Sequence, residues 1–190
     1  MIQDRIEYRE DEVKLPSREI CLEMLNDPQY KLAEGRKEYV LNVNRIAMKL
    51  GESIQKAGEN INLDILDRAT LLHDIAKGID KDNHSREGAN LVRREGWDEV
   101  MAEAIELHAS EKAFESSHWE TKLLYYIDRR NDGKTGKNMT INDYISMKIE
   151  ARPEKREFYE RLRIKCIQLE KLLNNILNKV DKNLDGFFKE

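Results

Sequence analysis

A chain of 190 residues with 39% hydrophobic and 37% charged side chains can bury the core of one globular domain and does not require two. Its net charge of −4, with both signs interspersed, gives no long-range attraction for a phosphate backbone and argues against nucleic-acid duplex binding. Cys21 and Cys166 lie far apart and form neither a Cys-x-x-Cys metal pair nor a disulfide framework, the start of the chain lacks the basic-then-apolar order of a signal peptide, and no apolar run approaches the roughly 20 residues that span a bilayer. A cytoplasmic protein without a membrane partner is expected.

Scarce Gly and Pro and periodic stretches rich in Ala, Leu, Ile, Glu and Lys predict an all-α fold. Ser17 to Leu25 forms a short amphipathic helix that ends at the turn signal Asn26-Asp27-Pro28. From Arg36 to about Gly58, Val40, Val43, Ala47, Leu50 and Ile54 recur at helical spacing. Asn62 is the cap of the next helix, which places Leu63, Leu66, Ala69 and Leu72 on its core side, carries His73-Asp74 near its end and stops at Gly78. Arg86 to Glu95 is ended by Gly96, and Asp98 caps a helix with Met101, Ala104, Ile105 and His108 on one stripe. Ser117-His118-Trp119-Glu120 has capping-box spacing ahead of Lys122 to Asp128, where Leu124, Ile127 and Asp128 share a face.

Arg129 to Asn138 reads as a loop flanking that face. Its Gly133-Lys134-Thr135 lacks the earlier glycine and the preceding strand that a phosphate-binding loop needs, so that reading is rejected. Thr140 and Asp143 open another helix, Pro153 breaks it, and Glu154 to about Asp181 is a long charged helix. Its stripe of Phe158, Leu162, Cys166, Leu169, Leu173, Ile176 and Val180 packs across its own core or, as the second reading, forms a homodimer seam. The chain divides into an N-terminal extension (1–35), a core (36–138) and a C-terminal helical extension packed on it (139–190).

His73 and Asp74 place two adjacent metal-ligating side chains in an apolar helical run. Buried imidazole and carboxylate groups must be paired, hydrogen-bonded or metal-coordinated, and a divalent cation meets that need for both. His84, His108 and Asp128 follow, each on or beside its own predicted helix. His118 follows a cap and is expected at the surface, and Asp80, Asp82 and Asp132 are loop or capping carboxylates. Arg93-Arg94 and Arg129-Arg130 read first as solvated surface, with anion binding as the alternative, chiefly for Arg129 beside Asp128.

Leu71-Leu72-His73-Asp74-Ile75-Ala76-Lys77, His84-Ser85-Arg86-Glu87-Gly88-Ala89, Ala104-Ile105-Glu106-Leu107-His108 and Tyr125-Tyr126-Ile127-Asp128 together resemble the HD superfamily of metal-dependent phosphohydrolases. The likeness is strongest to small bacterial members with a five-helix core, among them hydrolases of dinucleoside polyphosphates. It implies His73, Asp74, His84, His108 and Asp128 as ligands of one or two divalent ions, of which Mn, Fe, Mg, Co, Ni and Zn all suit such a site. One position departs from the pattern. Where the family has its first His, three residues after an Arg, this chain has Tyr39 after Arg36, and a phenol with a pKa near ~10 is a poor ligand at neutral pH.

The implied activity is hydrolysis of a phosphoester or phosphoanhydride in a small nucleotide or related phosphate compound. Asp74 is the natural bridging ligand, because a carboxylate has two oxygens to share. Lys77, one turn after His73, either sets an ammonium beside the substrate phosphate or satisfies a helix C-terminus. Arg36 and Arg129 are further candidates for phosphate contacts. The alternative is an HD-like binding or scaffold protein whose turnover was lost when Tyr39 replaced the first His.

Overall fold

The structure, a computed structural model, describes residues 13–131 and 137–189. Gly133-Lys134-Thr135 and Asp132 lie outside the described residues. The described chain is all-helical, without a β-strand; a single isolated bridge joins Asn131 and Asn138. Eight α-helices follow in order: α1 (Arg18–Asn26), α2 (Glu34–Lys56), α3 (Leu63–Leu72), α4 (His84–Arg94), α5 (Glu99–Leu107), α6 (Trp119–Arg129), α7 (Ile141–Ala151) and α8 (Arg156–Leu177).

The predicted caps are largely found. The Asn62 and Asp98 side chains accept from backbone N–H groups in the first turns of α3 and α5, and Thr140 and Asp143 form a reciprocal capping box on α7; Ser17, for which no cap was expected, caps α1 in the same way. Gly96 takes a positive φ of 66° just past α4, the conformation that lets glycine close a helix. Glu120 departs from expectation. The N-cap of α6 is His118, with no side-chain cap, and the Glu120 carboxylate instead crosses to accept from the Asn62 N–H at 2.5 Å. A buried carboxylate takes the nearest unpaired donor, and here that donor lies on the neighbouring connection.

Helices α2, α3, α5 and α6 enclose the core, with Ile46, Leu50, Leu66, Leu71, Met101, Ile105, Leu123 and Tyr125 excluded from water, and α4 packs along α5. The stripe on α8 faces inward. Leu162, Cys166, Leu169, Leu173 and Ile176 are buried against α7 and α2, so the chain's own helices cover the apolar seam that the homodimer reading would use. Burial pushes the thiols of Cys21 and Cys166 up to about 11 and about 12, where they remain neutral.

Arg129 and Arg130 overturn the solvated-surface expectation, since both are buried. Arg130 donates to Met139 O (2.6 Å), the Tyr126 hydroxyl (2.8 Å) and Asp185 (3.2 Å), which fastens the end of α6 to the C-terminal segment. Its guanidinium also lies 4.2 Å from the Phe188 ring centroid. A planar group with five donors can be satisfied inside a protein by carbonyls and aromatic faces, which net charge alone does not reveal. A second internal polar cluster surrounds Asp67, whose carboxylate accepts from Arg18, Arg68 and Asn44.

Candidate metal centre

The three inward histidines all sit at helix ends. His73 follows the last residue of α3, His84 opens α4 and His108 follows the last residue of α5. The helix predicted to run on to Gly78 therefore stops at Leu72, and residues 73–79 form successive turns. The start of α4 correspondingly lies at His84 rather than Arg86.

Helix-end carbonyls fix the imidazoles. His73 Nδ1–H donates to Thr70 O (2.7 Å), His84 Nδ1–H to Lys81 O (2.9 Å) and His108 Nδ1–H to Ile105 O (2.6 Å), each three residues back along the chain. With Nδ1 carrying the proton, every Nε2 presents a lone pair, and all three converge. His84 Nε2 lies 3.2 Å from His108 Nε2, 3.1 Å from Asp74 Oδ1 and buried beside it; His108 Nε2 is 3.6 Å from the same oxygen. His73 Nε2 stands 3.7 Å from Asp74 Oδ2 and 3.5 Å from Asp128 Oδ1, fully buried and without a hydrogen-bond partner.

Converging lone pairs and carboxylates repel unless a cation lies among them. Ligand atoms about one small divalent ion lie about 3 Å apart, given bond lengths near 2.1 Å at right angles, and the Asp74, His84 and His108 atoms approach that spacing. His73, Asp74 and His108 each offer an atom within 4.8 Å of the others. The orphaned Nε2 of His73 and the shared tautomer are what a bound divalent ion requires, so the donor set fits one.

Burial works against ionisation of Asp74, but His73, His108 and His84 outweigh it and hold the carboxyl well below its ordinary range. Burial likewise opposes ionisation of Asp128, whose pKa is nevertheless lowered by the facing His73 and His108 imidazoles. His73 is pushed down by burial yet ends above the usual imidazole value because Asp74 and Asp128 face it; at His108 burial prevails and lowers the pKa.

Two cations hold Asp74 from the outside. Arg36 donates to Oδ2 at 3.0 Å, and Lys77 Nζ reaches Oδ1 at 3.0 Å and Oδ2 at 3.2 Å. Lys77 thus serves the carboxylate instead of a helix C-terminus. Arg129 is turned inward: it donates to His108 O (2.7 Å) and Tyr125 O (2.9 Å) and stacks 3.4 Å from the Tyr125 ring centroid. Its visible work is to brace the end of α5 that carries His108. The Tyr39 hydroxyl donates to Asp128 Oδ1 at 2.7 Å and lies 2.9 Å from Asp128 O, and burial followed by the Asp128 charge raises its pKa, so it remains a neutral phenol.

A model of the HD domain matches residues 38–161. The chain belongs to the HD-domain family. No curated protein and no solved structure matches it. The HD domain places it in a superfamily of metal-dependent phosphohydrolases that bind divalent metals, and the matched region runs from beside Tyr39 through α7 into α8. Within this HD domain, His118 lies away from the cluster, half-exposed and 3.8 Å from Glu103. Asp80 accepts from the Asp82 and Asn83 N–H groups in the turn ahead of α4. Among the described residues no helix is long and apolar enough to cross a membrane.

The three carbonyls that orient the histidines and the bracing role of Arg129 escaped sequence reasoning. The first had a usable signal, because a His at a helix end commonly finds a carbonyl one turn back. The second had none. Lys148 on α7, also unmarked by any motif, is close enough to sense the charges of Asp128 and Lys77.

Proposed function

We propose that this HD domain is a metal-dependent phosphohydrolase that cleaves a phosphoester or phosphoanhydride bond in a small nucleotide or related phosphate compound. The convergence of three Nδ1-anchored histidines on Asp74 carries the reading. Asp74, His73, His84 and His108 would hold the metal. A divalent ion bound there would supply an acidified water and positive charge for the phosphoryl group. Arg36 and Lys77, partly exposed at the outer side of Asp74, are placed to bind and orient a phosphate while holding the carboxylate in register. Protein stripped with chelator should release no phosphate from a panel of nucleotides and sugar phosphates, and Mn2+, Fe2+ or Mg2+ should restore release. Failure of every metal and compound would sink the reading.

One observation favours a second reading, an HD-like binding protein without turnover: the Tyr39 hydroxyl engages Asp128 Oδ1, the oxygen nearest His73. Elemental analysis of Tyr39→His separates the two. The variant is expected to hold about two metal equivalents per chain against about one in the parent, because an imidazole adds a lone pair and frees Asp128 Oδ1. If the parent already hydrolyses substrate, the enzyme reading stands; activity appearing only in Tyr39→His would establish the second.

A further inference from the structure

Helix α7 follows the loop after Asp128 and lies outside the core marked by the ligand motifs, yet it brings Lys148 to the site. Lys148 Nζ lies 5.2 Å from the Tyr144 ring centroid, one turn back on the same helix. A second cation near that ring is Arg129, whose guanidinium carbon is 6.0 Å from the centroid and whose Nη1 is 4.0 Å from Asp128 Oδ2. Asp128, Arg129, Tyr144 and Lys148 therefore form a continuous line from the metal centre to α7.

Lys148 is half-buried and, among the described residues, forms no hydrogen bond or ion pair with a carboxylate through its ammonium. Its charge environment is unbalanced. Burial lowers its pKa, Arg129, Arg152 and Lys77 press in the same direction, and Asp128 opposes them. Partial burial of an uncompensated ammonium among like charges is costly unless an anion offsets it. Arg36 and Lys77 differ in that both sit directly on Asp74. The site thus has cations in two places: one pair at the Asp74 carboxylate and Lys148 on α7, within electrostatic reach of Asp128.

We propose that Lys148 forms a second anion subsite beside the metal centre, so that the site takes a substrate with two or more linked phosphoryl groups in preference to a phosphomonoester. One phosphoryl group lies at the His/Asp cluster with Arg36 and Lys77, and the next is held by Lys148 against Tyr144. This inference rests on the phosphohydrolase reading.

The test titrates Mn2+-reconstituted protein with methylenediphosphonate, which cannot be hydrolysed, and with methylphosphonate, with metal content measured after each titration. The parent is expected to bind the diphosphonate about tenfold more tightly, and Lys148→Met to lose about that factor for the diphosphonate while changing by less than about twofold for the monophosphonate. Lys148→Arg should retain most of the diphosphonate affinity. The thermal midpoint of Lys148→Met should not fall, since the side chain removed is an uncompensated cation; a purely structural lysine would lower it. Equal weakening of both probes, or no change in either, would overturn the subsite and leave the phosphohydrolase reading intact. A metal-loaded parent that binds neither probe would overturn both.

Discussion

Asp74→Asn is expected to empty the metal centre. The carboxylate is fully buried, and among the described residues it is the one carboxylate that faces His73, His84 and His108 together while accepting from Arg36 and Lys77. An amide of the same shape keeps the packing but removes the negative charge, and its NH2 presents hydrogens where the cluster presents lone pairs. Metal affinity and hydrolysis should therefore fall on the order of 10³-fold or more, beyond the 10–100-fold typical of an outer-shell change. In chelator-treated protein the same variant should lose about 2 kcal/mol, less than for an ion pair buried on both sides, because Arg36 and Lys77 can turn to solvent when their partner goes. Elemental analysis reads the first effect and denaturant unfolding the second. Full metal content in Asp74→Asn would show that the cluster is not the binding centre.

The residues of the candidate metal cluster were more legible than those that position them. His73, Asp74, His108 and Asp128 stood out because charged or ligating groups interrupt apolar helical periodicity, a local signal, whereas His84 was marked by its place in the order of motifs that resembles the HD superfamily. The caps at Asn62, Asp98 and Thr140 were readable for the same reason: a cap is a bond between a side chain and a backbone only two or three residues away. Arg129, Arg130 and Glu120 were not readable. Beside Tyr125 and Tyr126 one turn back, their partners include His108, Asp185 and Asn62, distant in sequence, and only the fold determines that a charged side chain turns inward. The end of α3 was misplaced because Ile75 and Ala76 continue its apolar pattern. In the structure they are buried in turns, where the His73 and Asp74 side chains can reach the cluster.

Gly78 illustrates the same distinction and gives the largest expected effect on stability. Glycine at this position reads as a helix stop, but α3 has already ended at Leu72, and Gly78 is not among the positive-φ glycines Gly58 and Gly96. Its requirement is close approach. A Cβ built there would collide with the carbonyl oxygens of Tyr30 and Lys31, both backbone atoms. Neither side yields easily. The 28–30 turn is closed by Lys31 N–H to Pro28 O at 3.1 Å, with Lys31 in the left-handed region at φ 52°, and the opposing turn is closed by Asp80 N–H to Ala76 O at 2.9 Å. Gly78→Ala should therefore cost about 3 kcal/mol and lower the thermal midpoint by about 9 °C. Gly35→Ala, where an added Cβ meets nothing within 4 Å in the first turn of α2, should be neutral or slightly stabilising and is the matched control. A functional effect follows from what the contact joins. Arg36 lies just beyond the Tyr30-Lys31 segment and Lys77 immediately precedes Gly78, so forcing the two segments apart separates the cations that share Asp74. His73 and His84 stand at the two ends of this α3–α4 connection, each held by a carbonyl three residues back, and His108 lies at the end of α5. Gly78→Ala should accordingly retain its metal while its KM for a phosphate substrate rises, and a variant with an unchanged thermal midpoint and KM would show that this close approach does not hold the two cations together.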